Sequence, residues 1–199
     1  PSVVEITTSA GLGSGVVFDN TGDIVTNDHV VGTSTSFSVL VNGSKTPLTA
    51  ALVGTYPASD LAVIKVNATT PLTPATFGAS AASRVGDVVL AMGNPLGLQG
   101  SVTQGIISAV GRTVEEPTGS GSPGATLSGV IQTSAAINPG NSGGALVNLA
   151  GDVVGIPTLT ATDPQLGGSA PGIGFAIPVS TVTSVARQLI ASGHVTITP

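Results

Sequence analysis

The chain has 199 residues, of which 8% are charged, and ten acidic residues against five basic ones give a formal net charge of −5. The Lys and Arg residues form no cluster, so no nucleic-acid partner is expected, because phosphate binding requires grouped cations. Cysteine is absent, which excludes a disulfide framework and a thiolate zinc site.

Most of the chain has the pattern of short β-strands. Runs rich in Val, Ile and Thr alternate with Gly, Asn, Asp and Pro, as in an antiparallel barrel or sandwich. In the first half we predict strands over 3–8, 15–18, 24–26, 36–41, 46–54 and 61–66. In the second half we predict strands over 88–92, 104–112, 129–133, 145–148, 153–156 and 173–177.

The pattern divides the chain into an N-terminal half of about 1–80 and a C-terminal half of about 85–178. Apolar residues at helical spacing then follow Ser180, whose side chain can cap a helix, and Gly193 is a stop signal. We therefore predict an α-helix over about 180–192.

Two Gly- and Ser-rich stretches interrupt the strands of the second half. Residues 113–128 and 157–171 are each long enough to predict a functional or mobile loop rather than a simple connection. A break in the strand pattern at 26–31 predicts one turn of helix in the first half.

A turn in the second half presents a serine between glycines. Asn138-Pro139-Gly140 predicts a type II turn, in which Gly occupies the position with positive φ. Ser142 follows one residue later, where its hydroxyl could attack an acyl carbon while nearby backbone N–H groups stabilise the oxyanion. The alternative is an ordinary glycine-rich hairpin turn, since 28 of the residues are glycine.

A nucleophilic serine requires a base, and histidine suits that role near neutral pH. The chain has two histidines. His194 near the end of the chain is most simply a solvent-exposed residue. His29 comes directly after a predicted strand and is the candidate base, with a packed or surface histidine as the alternative interpretation.

The imidazole in turn requires an acid that fixes its tautomer and orientation. Asp28 is adjacent to His29, but neighbouring side chains on a helical turn diverge by ~100°. Asp60 begins a predicted buried strand, from whose edge its carboxylate could point into a cleft. The alternative for Asp60 is a turn aspartate that follows Tyr56-Pro57-Ala58-Ser59.

Five motifs in order resemble those of the HtrA (Deg) proteases, which are bacterial chymotrypsin-like serine proteases. They are Thr26-Asn27-Asp28-His29-Val30, Asp60-Leu61-Ala62-Val63-Ile64-Lys65, Gly93-Asn94-Pro95-Leu96-Gly97, residues 132–144, and Gly172-Ile173-Gly174-Phe175-Ala176-Ile177-Pro178. The resemblance covers nearly the whole chain. It implies an all-β fold of two six-stranded antiparallel β-barrels with a C-terminal α-helix.

The resemblance also implies a role for each site residue. His29 is the general base, Asp60 orients it, and Ser142 is the nucleophile of peptide hydrolysis through an acyl-enzyme. The N–H groups of Gly140 and Ser142 form the oxyanion hole, and Asn141 completes the turn. No metal or other cofactor is expected.

The primary specificity pocket of this family is expected around the residue six positions before the nucleophile. That residue is Ala136, and Ile137, Ile156 and Leu159 are its expected neighbours. None of the four is acidic, so a Lys or Arg side chain would be desolvated there without a partner. We expect cleavage after small aliphatic residues in unfolded or extended polypeptides.

Two departures from the family pattern concern the turn. Ser134 stands where family members often have aspartate, and its effect is open. Asn141 stands where pancreatic-type enzymes have the aspartate that pairs with a newly cut N-terminus, which argues against activation by that route.

The resemblance extends to partners and location. Its expected partners are polypeptide substrates and, in a full-length form, a PDZ domain and a homotrimeric assembly. We expect the 199 residues to be the protease domain of a longer extracytoplasmic bacterial protein that acts in protein quality control.

Two other functions compete with proteolysis. One is a catalytically idle, chaperone-like relative that binds polypeptides through its grooves. The other is a Ser/Thr-rich adhesion or carbohydrate-binding module, which the scarcity of aromatic residues, 3% of the chain, disfavours.

Overall fold

The computed structural model describes residues 1–9, 11–41, 43–67, 71–78, 83–93, 100–115, 126–138, 140–163 and 168–196. These residues form two closed antiparallel barrels of six strands each and a helix at the C-terminal end. The predicted all-β fold of two six-stranded barrels with a C-terminal helix is therefore confirmed. Among the described residues, no helix is long and apolar enough to cross a membrane.

The strands of the first barrel contain alternating apolar residues, whose side chains fill the interior of the barrel. Its strands are β1 (Val3–Thr7), β2 (Leu12–Val17), β3 (Asp23–Thr26), β4 (Ser36–Val41), β5 (Leu48–Tyr56) and β6 (Leu61–Val66), closed in the order β1-β2-β3-β6-β5-β4. Ile6, Val17, Ile24 and Ile64 are fully buried in its core. The short helix α1 (Asp28–Val31) follows β3, and a 3₁₀ turn (Pro57–Ser59) precedes β6.

The second barrel has longer and less regular strands. They are β7 (Val88–Gly93), β8 (Ser101–Glu115), β9 (Thr126–Thr133), β10 (Ala145–Val147), β11 (Val153–Asp163) and β12 (Gly168–Pro178), closed in the order β10-β11-β12-β9-β8-β7. Val89, Ile107 and Leu146 lie in its core. Three of its strand pairs contain register shifts, namely β10/β11, β11/β12 and β8/β9.

Helix α2 (Val179–Ser192) packs against both barrels where they meet. Its Val182 and Leu189 belong to one apolar cluster with Leu61 of the first barrel and Ile177 of the second. Gly193 adopts a left-handed conformation and donates to Leu189 O, so the predicted stop signal is confirmed. The predicted N-cap at Ser180 is wrong, because the helix follows β12 directly and its N-cap is the extended Pro178, which makes no side-chain cap.

The predicted loop over 157–171 is also wrong for most of its length. Strands β11 and β12 continue through both of its ends as one long hairpin. Register shifts between Pro157 and Leu159 and between Thr160 and Thr162 accommodate the irregular sequence. The predicted loop over 113–128 is strand at both ends, and its centre, 116–125, lies outside the described residues.

Candidate active site

The first half of the candidate site lies where β3 ends. Asn27 is the N-cap of α1, and His29 is the second residue of that helix. The His29 backbone N–H donates to Asp60 Oδ1 at 3.0 Å, and His29 Nδ1 lies 2.8 Å from Asp60 Oδ2. An ionised carboxylate can only accept hydrogen bonds, so this contact assigns the imidazole proton to Nδ1 and leaves Nε2 as an acceptor.

Asp60 is held by its backbone as well as by its side chain. It ends the 3₁₀ turn with φ 49°, a left-handed conformation that aspartate tolerates better than most residues. Its N–H donates to Pro57 O at 3.0 Å, and its C=O accepts from Asn27 Nδ2 at 2.8 Å. The side chain is 2% exposed, whereas that of His29 is 25% exposed. The structure therefore brings His29 and Asp60 together and leaves the imidazole accessible.

Thr158 connects this pair to the second barrel, and the sequence did not single it out. It lies at the register shift between Pro157 and Leu159 of β11. Its hydroxyl donates to Asp60 Oδ2, and its backbone C=O accepts from the Ser142 hydroxyl at 3.1 Å. The signal was Pro157 inside an apolar run, because proline within a sheet often marks a bulge.

The turn before Ser142 has the backbone that the sequence predicts. Asn141 N donates to Asn138 O at 2.9 Å, and Gly140 has φ 102°. Positive φ at the third position together with this hydrogen bond is the arrangement of a type II turn. Pro139 itself lies outside the described residues. Within the described part of the chain, neither the Gly140 N–H nor the Ser142 N–H donates a hydrogen bond.

The residues around Ser142 pack tightly against the first barrel. Asn141 is 1% exposed, and its amide donates to Ala136 O at 3.3 Å. Gly143 has φ 79°, and a Cβ at that position would overlap Ser14 O and Thr26 Oγ1. The nucleophile candidate therefore lies on a turn whose close approach to the first barrel requires glycine.

The four predicted pocket residues lie in different packing environments in the described part of the chain. Ala136 is exposed, and Ile137 packs in the core of the second barrel. Leu159 packs beside Phe175 in another cluster. Ile156 is fully buried in an apolar cluster with residues of α2 and of both barrels.

Asp28 adds a second carboxylate near the His29–Asp60 pair. Burial raises the pKa of the Asp28 carboxyl, and the charge of Asp60 raises it further. A hydrogen bond from Thr55 and the neighbouring His29 act in the opposite direction. His194 is exposed near the end of the chain, where Nδ1 contacts Ser192 O at 3.0 Å. Among the described residues, no three His, Cys, Asp or Glu side chains are grouped so that they could hold a metal ion.

Comparison with known families agrees with this fold. The family described as trypsin-like peptidase domain matches residues 13–156, which is well over half of the chain. The chain therefore belongs to the class of trypsin-like peptidases. The matched range begins on β2 and ends on β11, so it includes His29, Asp60 and Ser142.

Individual relatives narrow the class. The chain is 44% identical over 184 residues to serine endoprotease DegS of Escherichia coli, covering 92% of this chain and 50% of DegS. It is 45% identical to a probable periplasmic serine endoprotease, DegP-like, of Bartonella henselae, covering 92% of this chain and 34% of that protein. A solved structure of HtrA-type protease AlgW with tripeptide is 43% identical with a TM-score of 0.82, covering 98% of this chain and 62% of AlgW. The chain belongs to the HtrA (Deg) family of trypsin-like peptidases and spans about half the length of the curated relatives that it matches first.

Proposed function

We propose that the protein is a serine endopeptidase in which Ser142 is the nucleophile, His29 the general base and Asp60 the residue that orients His29. The observation that carries the proposal is the 2.8 Å contact between His29 Nδ1 and Asp60 Oδ2, which leaves Nε2 able to accept a proton. Thr158 supports it from the other side, because it contacts both Asp60 and Ser142.

The reaction begins with a change of hydrogen-bond partner. In this structure the Ser142 hydroxyl donates to Thr158 O, so attack requires it to release that acceptor and pass its proton to His29 Nε2. The Ser142 oxygen then bonds to the scissile carbonyl carbon. His29 gives the proton to the amine as the peptide C–N bond breaks. In the second half of the reaction His29 takes a proton from water, the water oxygen bonds to the acyl carbon, and the bond from that carbon to Ser142 breaks as His29 returns the proton to the Ser142 oxygen.

The oxyanion hole is the second part of the proposal. The N–H groups of Gly140 and Ser142 would stabilise the negative charge that develops on the carbonyl oxygen. Neither group donates elsewhere within the described residues, and positive φ at Gly140 supports the turn geometry that such a hole needs. Asn141 supports the turn through its buried amide.

Polypeptides are the proposed substrates, with a small aliphatic residue before the cleaved bond. Gly174 on β12 packs directly against Ile137, because a Cβ at Gly174 would lie 2.6 Å from Ile137 Cγ1, and this close packing supports narrow walls for the proposed pocket. Ala136 is exposed, and none of these residues could pair with a Lys or Arg side chain.

Location and assembly are proposed from the relatives alone. The name of the Bartonella relative includes "periplasmic", and we propose an extracytoplasmic role in protein quality control for this chain as well. Because the chain spans about half of its first relatives, a PDZ domain and a homotrimeric assembly remain proposals for the full-length protein.

Covalent labelling tests the proposed function. A fluorophosphonate should form a bond between its phosphorus and the Ser142 oxygen, with loss of fluoride, and peptide mapping by mass spectrometry should locate the adduct. Ser142→Ala is the control. Labelling at another serine, or none on folded protein that has been given a substrate peptide, would contradict the protease and favour the idle, chaperone-like alternative.

Cleavage-site mapping on casein tests the substrate preference separately. We expect Val, Ala or Ile before the cut. A strong preference for Lys or Arg at that position would show that the pocket has been placed wrongly, while leaving the catalytic assignment intact.

A further inference from the structure

Ser14 of the first barrel contacts the turn of the second barrel that carries Ser142. We call this turn, residues 138–142, the nucleophile turn. Ser14 lies on β2, is completely buried, and makes two hydrogen bonds to that turn. Its backbone N–H donates to Ser142 O at 3.0 Å, and its hydroxyl donates to Gly140 O at 2.6 Å. These contacts join residues more than 120 positions apart in the chain.

Together the two contacts fix the backbone on both sides of Asn141. Gly140 O belongs to the peptide group whose N–H, that of Asn141, donates to Asn138 O. This peptide group is therefore held at its oxygen by Ser14 and at its nitrogen by Asn138. The adjoining N–H groups of Gly140 and Ser142 are the proposed oxyanion donors, so their positions depend on how this backbone is held.

Ser14 is also tied to the segment that carries the base. Its backbone C=O accepts from Thr26 Oγ1 at 2.7 Å, and Thr26 is the last residue of β3, directly before the N-cap of α1. One residue thus contacts the turn that carries Ser142 and the strand that leads to His29. Small displacements between such groups cost large factors in rate, because attack requires the reacting atoms to be aligned.

The side chain must be small and must donate a hydrogen bond. A Cβ at Gly93, on β7, would lie 3.0 Å from the Ser14 hydroxyl oxygen, which shows how closely the second barrel surrounds it. Any residue could supply the backbone N–H. The contact to Gly140 O requires a hydroxyl, and without it that buried carbonyl would lose its donor.

We propose that Ser14 is a positioning residue: it fixes the position of the nucleophile turn relative to the barrel that carries His29 and Asp60. It touches neither the substrate nor the reacting atoms in this role. The inference rests on the proposed function, and it adds a residue from β2 to the requirements of the site.

The test compares Ser14→Ala with the unaltered protein. We expect kcat for a peptide substrate and the rate of fluorophosphonate labelling to fall by about tenfold or more, because alignment is lost. Binding of a substrate peptide, measured in a Ser142→Ala background, should change less than twofold. The control is Thr183→Ala, which removes a hydroxyl-to-carbonyl hydrogen bond on α2 outside the site and should leave kcat unchanged.

Hydrogen exchange provides a readout that does not depend on activity. In the Ser142→Ala background, Ser14→Ala should increase amide exchange in 138–144 and leave exchange in α2 unchanged. If Ser14→Ala does not fold, Ser14→Cys replaces it, because a thiol nearly keeps the volume but donates weakly.

The outcomes separate the two proposals. Equal labelling rates and equal exchange in the unaltered and Ser14-substituted proteins would overturn the inference about Ser14 and leave the protease standing. An unaltered protein that neither labels at Ser142 nor cleaves peptides would overturn the proposed function, and the role of Ser14 with it. A loss of kcat with increased exchange in 138–144 alone supports both.

Discussion

The two barrels have the same number of strands but differ in how regular those strands are. In the first barrel the strand pairs keep register within the described residues except for one shift, between Leu52 and Gly54. In the second barrel β8/β9 and β11/β12 each shift more than once. The regular barrel carries His29 and Asp60, and the irregular one carries Ser142 and Thr158.

The difference shows how each barrel positions its side chains in the candidate site. Asp60 is set by a turn before β6, a strand that pairs with β3 in unbroken register. Thr158 is set by a bulge that directs its hydroxyl to Asp60 and its carbonyl to Ser142. Bulges redirect side chains at the cost of local pairing, and they often occur next to active sites. The site thus requires both barrels and the contacts between them.

The largest expected effect comes from the regular barrel. Asp60→Asn should keep the fold but lower turnover by about 10⁴, because the amide cannot hold the imidazole in the required tautomer. Steady-state kinetics on a peptide substrate measures this. The control is Asp152→Asn, since the Asp152 carboxylate accepts a hydrogen bond from Asn148 in the turn between β10 and β11, outside the candidate site. Near-normal turnover of Asp60→Asn would mean that another carboxylate orients the base.

The next largest effect is expected where Gly143 packs against the first barrel, and it concerns the free energy of unfolding. Gly143→Ala should destabilise the protein by about 3 kcal/mol or more, because the new Cβ collides with Ser14 and Thr26 and the backbone is left-handed. Urea unfolding measures the change. Gly151→Ala is a matched control, since Gly151 is also left-handed at φ 87° but has open space around it. Equal losses in both variants would show that the two barrels do not approach closely at Gly143.

The bulge of the irregular barrel can be tested at Thr158. Thr158→Val removes the hydrogen bond to Asp60 and keeps the backbone carbonyl, so turnover should fall by about 10- to 100-fold, the usual worth of a hydrogen bond to a charged group. Thr158→Ser keeps the hydroxyl and should retain most of the activity. If the Val and Ser variants behave alike, the hydroxyl of Thr158 does not contribute to holding Asp60.

The smallest expected effect is on the pH dependence of stability near α1. Burial and the charge of Asp60 raise the pKa of Asp28, so its ionised form is disfavoured in the folded state. The stability that Asp28 contributes is therefore present below its unfolded pKa of about 4 and is lost as pH rises through the folded value. Asp28→Asn should stabilise the protein at neutral pH, and this gain should vanish at acidic pH.

Asp19 provides a comparison with the opposite sign. Burial alone would raise its pKa, but hydrogen bonds from Thr21 and Asp23 lower the pKa below its ordinary value. Asp19→Asn should therefore destabilise the protein at neutral pH, and this loss should vanish as the pH falls below the ordinary range of aspartate. Thermal unfolding across pH measures both variants. Parallel pH curves for Asp28→Asn and the unaltered protein would contradict the raised pKa of Asp28.

The sequence predicted the regular barrel better than the irregular one. The strands predicted over 36–41 and 61–66 agree with β4 and β6, because alternation and turn residues mark their ends. The segment predicted as a loop over 157–171 is strand for much of its length, and the one predicted over 113–128 is strand at both ends. Strand pairing across bulges does not produce regular alternation in the sequence, so it could not be read from periodicity.

Only part of the candidate site could be predicted from the sequence as well. His29 and Asp60 could be chosen because histidines are few and each residue borders a recognisable element. Pro157 marks the bulge at Thr158, but the contacts of Thr158 and Ser14 could not be predicted, because each is made with a residue of the other barrel that is distant in the sequence. The packing of Ile156 with α2 could not be predicted either, because the sequence does not tell which face of β11 meets α2.

The most direct test of the proposed mechanism is a crystal structure of the protein after reaction with a fluorophosphonate. The mechanism predicts a bond between phosphorus and the Ser142 oxygen, with the phosphonyl oxygen about 2.7–3.1 Å from the N–H groups of Gly140 and Ser142. It also predicts that Ser14 still donates to Gly140 O and that His29 still contacts Asp60. An adduct on another residue, or a phosphonyl oxygen turned away from both N–H groups, would contradict it.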